Sequence, residues 1–280
     1  MTGPHRPALR AVTFDFWSTL VDGAVTPERT AERLARLHRA IVGAGHACTP
    51  QQLEQAFQRA NARVARDVKE SLEDVGPPGR WAILAEELCI PEGLIEFEVV
   101  ERAYEDITLD PLPKPMPHVH ESVRALKELG YRLGVVCNTG MAGGRVLRHV
   151  LERHGLLDYF DATTFSNEFG WSKPHPEIFH HTLAELGGVE PSAALHVGDM
   201  EELDVEGARR AGMFAALYVP EANGPVETDA DLVVRDWREF PRLITNFASN
   251  LRAVVARTGH GRRPGMREDT GAAPFPPTLD

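Results

Sequence analysis

From residue 118 onward, short apolar runs rich in β-branched residues alternate with segments of helical spacing. That alternation confines the chain to one fold class. LGVVC (Leu133 to Cys137), a short run near 161–165, ALHVG (Ala194 to Gly198), FAALYV (Phe214 to Val219) and LVV at 232–234 read as strands. Helices are expected at about 118–129, 142–154, 175–186, 202–211 and 237–256. Strands joined through helices run parallel, so the expected fold is α/β, a doubly wound Rossmann-like parallel sheet. An earlier run, LRAVTFDF at 9–16, supplies a further strand.

After that first strand the pattern changes. Thr26-Pro27-Glu28 and Thr49-Pro50 are helix starts, each with proline in the first turn. Leu34, Leu37 and Ile41 fall at helical spacing, as do Leu53, Phe57, Ala60 and Val64. Gly76-Pro77-Pro78-Gly79 breaks the chain, and further helices are expected near 80–89 and 91–107. Four helices without a strand make a separate unit, inserted after the first strand. Pro111, Pro113, Pro115 and Pro117 stiffen the return. The expected organisation is an α/β core from 9–22 and 113–257, and a helical cap at 23–112. The tail at 258–280, rich in Gly, Pro and Arg, is expected to be disordered.

Charge and cysteine usage limit the partners. A net charge of -11 disfavours phosphate backbones and anionic lipid, so neither nucleic acid nor membrane is expected. Cys48, Cys89 and Cys137 offer no disulfide framework and no zinc spacing. The first apolar stretch contains Asp15 and is too short to span a bilayer. These features point to the cytoplasm. Oligomeric state has no signature here.

Ligands of a doubly wound sheet bind at the carboxyl ends of its strands. Asp15 stands at the first such end, and Cys137-Asn138-Thr139-Gly140 at the second. Lys173-Pro174 precedes a helix, and Asp199 closes another strand with Asp204 five residues on. Brought close, Asp15, Asp199 and Asp204 repel one another unless a divalent cation or lysine neutralises them. Mg2+ prefers such oxygens together with a substrate phosphate. Main-chain N–H groups around Asn138 and Thr139 can cradle an anion. Asp15 can then attack phosphorus in line and form an aspartyl-phosphate. Each residue also has a plainer role. Asp15 can cap a turn, and Asp199 and Asp204 suit a helix N-terminus. Cys137 can be a small buried residue, and Trp17 a packing aromatic. Arg29, Arg33 and Arg36 form a charged helix face, solvated by default, from which one arginine can clamp an anionic substrate.

FDFWSTL at 14–20, VVCNTG at 135–140, SKPHPEIF at 172–179 and HVGDMEELDVEGARRAG at 196–212 resemble the motifs of the haloacid dehalogenase superfamily. The resemblance is to the branch with a helical C1-type cap between the first two motifs, and covers roughly residues 9–240. It implies Asp15 as nucleophile, Lys173 as the charge-neutralising lysine, and Cys137, Asn138 and Thr139 on the substrate side. It further implies Mg2+ held by Asp15, Asp199, Asp204 and the main-chain carbonyl of Trp17, with a small phosphorylated metabolite as substrate.

The chain departs from that pattern twice. Most phosphatases of the superfamily carry a second Asp where this chain has Trp17, and general acid–base catalysis is worth about 10²–10⁴-fold. Cys137 stands where Ser or Thr is usual, and a thiol is a weaker donor. Three readings follow. The leading one is a magnesium-dependent phosphatase or phosphotransferase without the usual acid. The second is a 2-haloacid dehalogenase, whose halide leaves without a proton and whose relatives carry an aromatic residue at the Trp17 position. Against it, Phe179 stands where those enzymes usually have Tyr. The third is a non-catalytic binder, against which the intact Asp15, Lys173, Asp199 and Asp204 argue.

Overall fold

The computed structural model describes residues 9–23, 25–220 and 224–258. The lead-in and, beyond residue 258, the tail expected to be disordered lie outside the described residues. Six strands form one sheet in the order β3-β2-β1-β4-β5-β6, every pair parallel. They are β1 Ala11–Phe14, β2 Arg132–Cys137, β3 Ala162–Phe165, β4 Ala194–Gly198, β5 Phe214–Tyr218 and β6 Leu232–Val234. Phe14 is in register with Val135 on one side and Val197 on the other. The next residue, Asp15, therefore emerges where the strand order reverses, the switch point at which such sheets bind ligands.

The core helices are α5 Val119–Glu128, α6 Gly144–Arg153, α7 Ser166–Phe169, α8 Pro176–Glu185, α9 Glu206–Arg210 and α10 Phe240–Thr258. The period of two along each strand divides the apolar residues between two covered faces. Val12, Phe14, Val135 and Val197 pack with Val123, Val146 and Phe240 on one face. Ala11, Val136 and Ala215 pack with Ile178, Phe179 and Ala208 on the other. Each fully buried Val, Leu, Ile or Phe contributes roughly 1.5–3 kcal/mol of transfer free energy.

Helices α1 Pro27–Gly43, α2 Pro50–Ser71, α3 Gly76–Glu87 and α4 Phe97–Glu105 fill the segment between β1 and β2. The Thr26 side chain accepts from the N–H of Arg29, and Thr49 and Gln52 form a reciprocal capping box. These helices share their own cluster, including Leu37, Ile41, Leu53, Phe57, Trp81, Leu84 and Tyr104. Some boundaries differ from the sequence reading: the Gly76-Pro77-Pro78-Gly79 run, expected to break the chain, is the first turn of α3, where proline is tolerated because its missing N–H has no helical partner. Helix α4 starts at Phe97, not near 91, because Gly93 takes a left-handed φ of 74° that no helix continues. The helix after β4 opens as a π-helical turn, Glu201–Val205, before continuing as α9.

The helical unit meets the sheet at two seams. Asp22 N–H donates to Lys114 O at 2.8 Å, and Met116 N–H to Leu20 O at 2.9 Å, tying the outgoing and returning strands together. Asp74 N–H donates to Gly170 O at 2.8 Å, and Ser172 N–H to Leu72 O at 2.7 Å. The second seam ends one residue before Lys173. Among the described residues no helix is long and apolar enough to cross a membrane.

Candidate active site

Asp15 continues the ladder of β1 by donating its N–H to Val197 O at 2.9 Å. The chain then turns tightly: Leu20 N–H returns to Phe16 O at 2.9 Å, and Ser18 adopts a positive φ of 57°. The turn leaves the Asp15 side chain at the strand end, 7% exposed. Lys173 reaches it from the loop before α8. Its Nζ donates to Asp15 Oδ1 at 2.5 Å and to Asp204 Oδ1 at 2.6 Å, with all three side chains nearly excluded from solvent.

Asp204 is brought back over the end of β4 by the π-helical turn. Its Oδ2 accepts from the N–H of Met200 at 3.0 Å. Gly198 permits this approach, because a Cβ there would sit 2.1 Å from the Asp204 carboxyl carbon. Behind Asp204, His196 is fully buried, and burial lowers its pKa so that the ring is neutral. Its Nε2–H then donates to Asp204 Oδ1 at 3.1 Å, and its Nδ1 accepts from Thr13 Oγ1 at 2.9 Å. Ligand atoms of Asp15, Asp199 and Asp204 all lie within 4.8 Å of one another.

Burial and mutual repulsion both bear on the protonation of the cluster. Burial pushes Asp15 up to about 7, with Lys173 opposing and Asp204 adding to the shift. Burial and then Asp204 push Asp199 up to about 6. Burial would raise Asp204 too, but Lys173 and His196 beside it hold it well below the usual carboxylate range. Burial alone would lower Lys173, but Asp15 and Asp204 keep it above its usual value. Three carboxylates around one ammonium leave a place for one more cation. The donors are hard oxygens, with neither thiolate nor imidazole in the group, which fits Mg2+.

Of the residues expected on the substrate side, Asn138 and Thr139 line the cleft beside Trp17, and their side-chain polar groups, like that of Cys137, also meet partners within the protein. Cys137 is fully buried, its thiol faces Asn138 O at 3.4 Å, and burial followed by Asp15 pushes it well above its usual range. It stays a thiol. The Asn138 amide is engaged with the Lys173 backbone, donating to its carbonyl at 3.0 Å and accepting its N–H at 2.7 Å. Thr139 Oγ1 donates to Asp74 Oδ2 at 3.2 Å, and its N–H donates to Ser166 Oγ at 3.0 Å. Trp17, half-buried, packs edge-on against Phe16 with ring centroids 4.8 Å apart. It helps line a cleft of about 650 Å³ between the strand ends and the helical unit.

Several residues here lay beyond the sequence reading. Ser166 stands just after β3, a strand end whose position was itself a signal. His196 is an inward polar residue in an apolar strand. Asp74, in the loop before α3, carries no local signature. The reading of Arg29, Arg33 and Arg36 as a solvated face needs correction. Arg36 pairs with Glu32 at 2.8 Å on the surface, but Arg33 is buried and donates to Tyr104 O at 2.8 Å.

A family profile described as haloacid dehalogenase-like hydrolase matches residues 9–212. The human haloacid dehalogenase-like hydrolase domain-containing protein 3 is 29% identical over 81% of this chain and 88% of its own length. The match to the bovine protein of that name spans 60% of the bovine chain. The glyceraldehyde 3-phosphate phosphatase of Methanopyrus kandleri is 32% identical over 73% of this chain and 82% of its own. Among solved structures, a 2-haloacid dehalogenase from Pseudomonas syringae superposes with a TM-score of 0.63 at 22% identity. It covers 85% of this chain and 99% of that one, and supports the fold alone.

Proposed function

This chain belongs to the haloacid dehalogenase-like hydrolases, and on that premise we propose that it is a magnesium-dependent phosphatase of a small phosphorylated metabolite, with Asp15 as nucleophile. The observation that carries this reading is the Asp15, Asp199 and Asp204 triangle closed by Lys173. A dehalogenation displaces halide from carbon and does not call for three clustered carboxylates. Similarity to the Methanopyrus phosphatase supports a phosphomonoester substrate. The three free cysteines suit a cytoplasmic setting.

Mg2+ bound by Asp15, Asp199 and Asp204, with the carbonyl of Trp17, would supply Lewis-acid stabilisation of the phosphoryl oxygens. The other tasks fall to the chain. The Asp15 carboxylate oxygen attacks phosphorus as the ester P–O bond breaks, and the alkoxide leaves. Water then adds to the phosphorus of the aspartyl-phosphate, releasing phosphate and restoring Asp15. Lys173 opposes the effect of burial and so favours the ionised form of Asp15, and it neutralises part of the charge on the transferring group. The Trp17 indole can neither protonate the leaving oxygen nor activate water. Solvent must supply that proton, so acyl and aryl phosphates, whose leaving groups need none, are the favoured substrates. The helical unit, residues 23–112, acts as a cap that excludes bulk water from the cleft.

The test is phosphate release from a panel of alkyl, aryl and acyl phosphates, with magnesium and with EDTA, using Asp15→Asn as control. Magnesium-dependent release that disappears in the variant is the expected result. The absence of release across the panel, with halide released from 2-haloacids in EDTA, would sink the phosphatase reading in favour of dehalogenation, which Trp17 permits.

A further inference from the structure

Arg33 lies on α1 with its side chain enclosed, at 3% exposure. Its Nε donates to Tyr104 O at 2.8 Å, and its terminal nitrogens lie 3.5 Å from Thr108 Oγ1 and 3.7 Å from Met141 Sδ. All three partners are neutral. Among the described residues no carboxylate lies within ion-pairing distance of this guanidinium. Burial lowers its affinity for the proton, and Arg29 one turn earlier adds to that effect.

Arg29, one turn earlier, is half-buried. It donates to Pro111 O at 2.8 Å, and its Nε is buried with no hydrogen-bond partner. Arg80, on α3, also has a buried, unpartnered Nε, and its approach to Asp74 is 3.9 Å, beyond hydrogen-bond length. Among the described residues Arg29 and Arg33 have no ion pair, and Arg80 has only that long one to Asp74. Elsewhere on the helical unit Arg59 meets Glu87 at 2.6 Å and Arg63 meets Glu86 at 2.7 Å. A buried cation left without a partner is held at a cost in folding free energy. Arg29, Arg33 and Arg80 all line the cleft whose other wall is Trp17 with Asn138 and Thr139, beside the Asp15 strand end. Guanidinium forks match oxyanions in pairs of parallel hydrogen bonds.

We propose that Arg29, Arg33 and Arg80 form an oxyanion subsite that recognises a second anionic group, a carboxylate or second phosphoryl group, on the substrate whose first phosphoryl group meets Asp15. The inference rests on the phosphatase reading for the identity of that first group. The subsite selects among phosphomonoesters by what they carry at the far end, and the anion supplies the counter-charge that the buried Arg33 lacks.

The experiment is calorimetric binding of non-hydrolysable ligands to the full chain with magnesium present. Phosphonoacetate, 3-phosphonopropionate and 4-phosphonobutyrate are each compared with the alkylphosphonate of equal length, and propane-1,3-bisphosphonate with propylphosphonate. At least one ligand with two anionic groups is expected to bind about tenfold more tightly than its partner, the scale of a charge-assisted hydrogen bond. A carboxylate winner or a bisphosphonate winner identifies the second group. The preference should shrink in Arg29→Met and in Arg80→Met. Arg33→Lys should keep the fold and the charge but lose part of the preference, since an ammonium lacks the fork. If no ligand with two anionic groups outbinds its partner, or the preference persists unchanged in both methionine variants, the subsite is overturned. Turnover separates this from the parent reading. Selective binding without phosphate release from any ester retires the phosphatase and leaves the subsite. Release indifferent to a second anion does the reverse.

Discussion

Asn138 and Lys173, 35 residues apart, are joined by a reciprocal pair of hydrogen bonds between the Asn138 amide and both main-chain groups of Lys173. The amide sits at the end of β2 and fixes the backbone from which Lys173 reaches Asp15 and Asp204. Asn138→Ala removes both bonds and leaves a buried N–H and C=O without partners. A loss of about 1–3 kcal/mol in stability is expected. Because the lysine is then misplaced, kcat should fall more than KM rises. Urea denaturation and steady-state kinetics on one preparation check both. A wild-type kcat in the variant would remove Asn138 from the positioning of Lys173.

Lys173→Met leaves Asp15 and Asp204 facing each other without the ammonium between them. One of the two must then keep its proton far above the usual carboxylate range, raising its folded pKa further. A group with a raised folded pKa has its stabilising effect at low pH and loses it as pH rises. The variant should therefore be close to wild type in stability at pH 5 and weaker by about 3–5 kcal/mol at pH 8. Denaturation at the two pH values reads this directly. An equal loss at both would place the effect in packing, not charge. Activity should be absent at either pH.

Much of the fold was legible because strands and helix starts are local. β4 and β6 fall where their apolar runs place them, and the Thr26 and Thr49 caps stand at the starts of α1 and α2. The meeting of Asp15, Lys173, Asp199 and Asp204 was legible for another reason: a parallel sheet gathers its strand ends at one edge. What escaped depends on contacts between distant segments. Arg33 reads as a surface residue in α1 alone and is buried only because Tyr104 and Thr108 cover it. The position of Asn138 at a strand end does not reveal that its amide holds the backbone of Lys173, 35 residues on. A sequence fixes a residue's place on a strand more readily than the direction of its last torsion.

Metal removal should have a pH-dependent effect on stability. Without metal, Asp15 and Asp199 have folded pKa values raised to about 7 and 6. The usual carboxylate value is about 4. Between these limits the folded state binds more protons than the unfolded one, so the contribution of the pair to stability falls as pH rises. A divalent cation offsets the same charge. The rise in Tm on adding magnesium should therefore be larger at pH 7.5 than at pH 5, and nearly absent in Asp199→Asn. Differential scanning calorimetry with magnesium and with EDTA measures this. A larger effect at pH 5 would contradict it.

Asp74 should govern how firmly the helical unit sits on the sheet. Its side chain is 2% exposed and accepts from Ser166 Oγ at 2.5 Å, Thr139 Oγ1 at 3.2 Å and the Gly76 N–H at 2.9 Å. Beside it the backbone pairs with residues 170–172, so one loop joins the helical unit to the segment that presents Lys173. Asp74→Ala strips the acceptor from three donors and should cost about 1–3 kcal/mol for each one left unpaired and dry. Water can enter the vacated space, so the total should stay near the lower end. Asp74→Asn keeps one acceptor oxygen for Gly76 and turns its amide toward hydroxyls that can reorient, so its effect should be the smaller. Neither change touches the Asp15–Lys173 contact. The expected kinetic result is a rise in KM exceeding the fall in kcat, larger for Ala than for Asn, with faster proteolysis of the loop around residues 72–76. A selective loss of kcat with unchanged KM would instead make Asp74 a participant in the chemistry, and a proton donor that Trp17 cannot be.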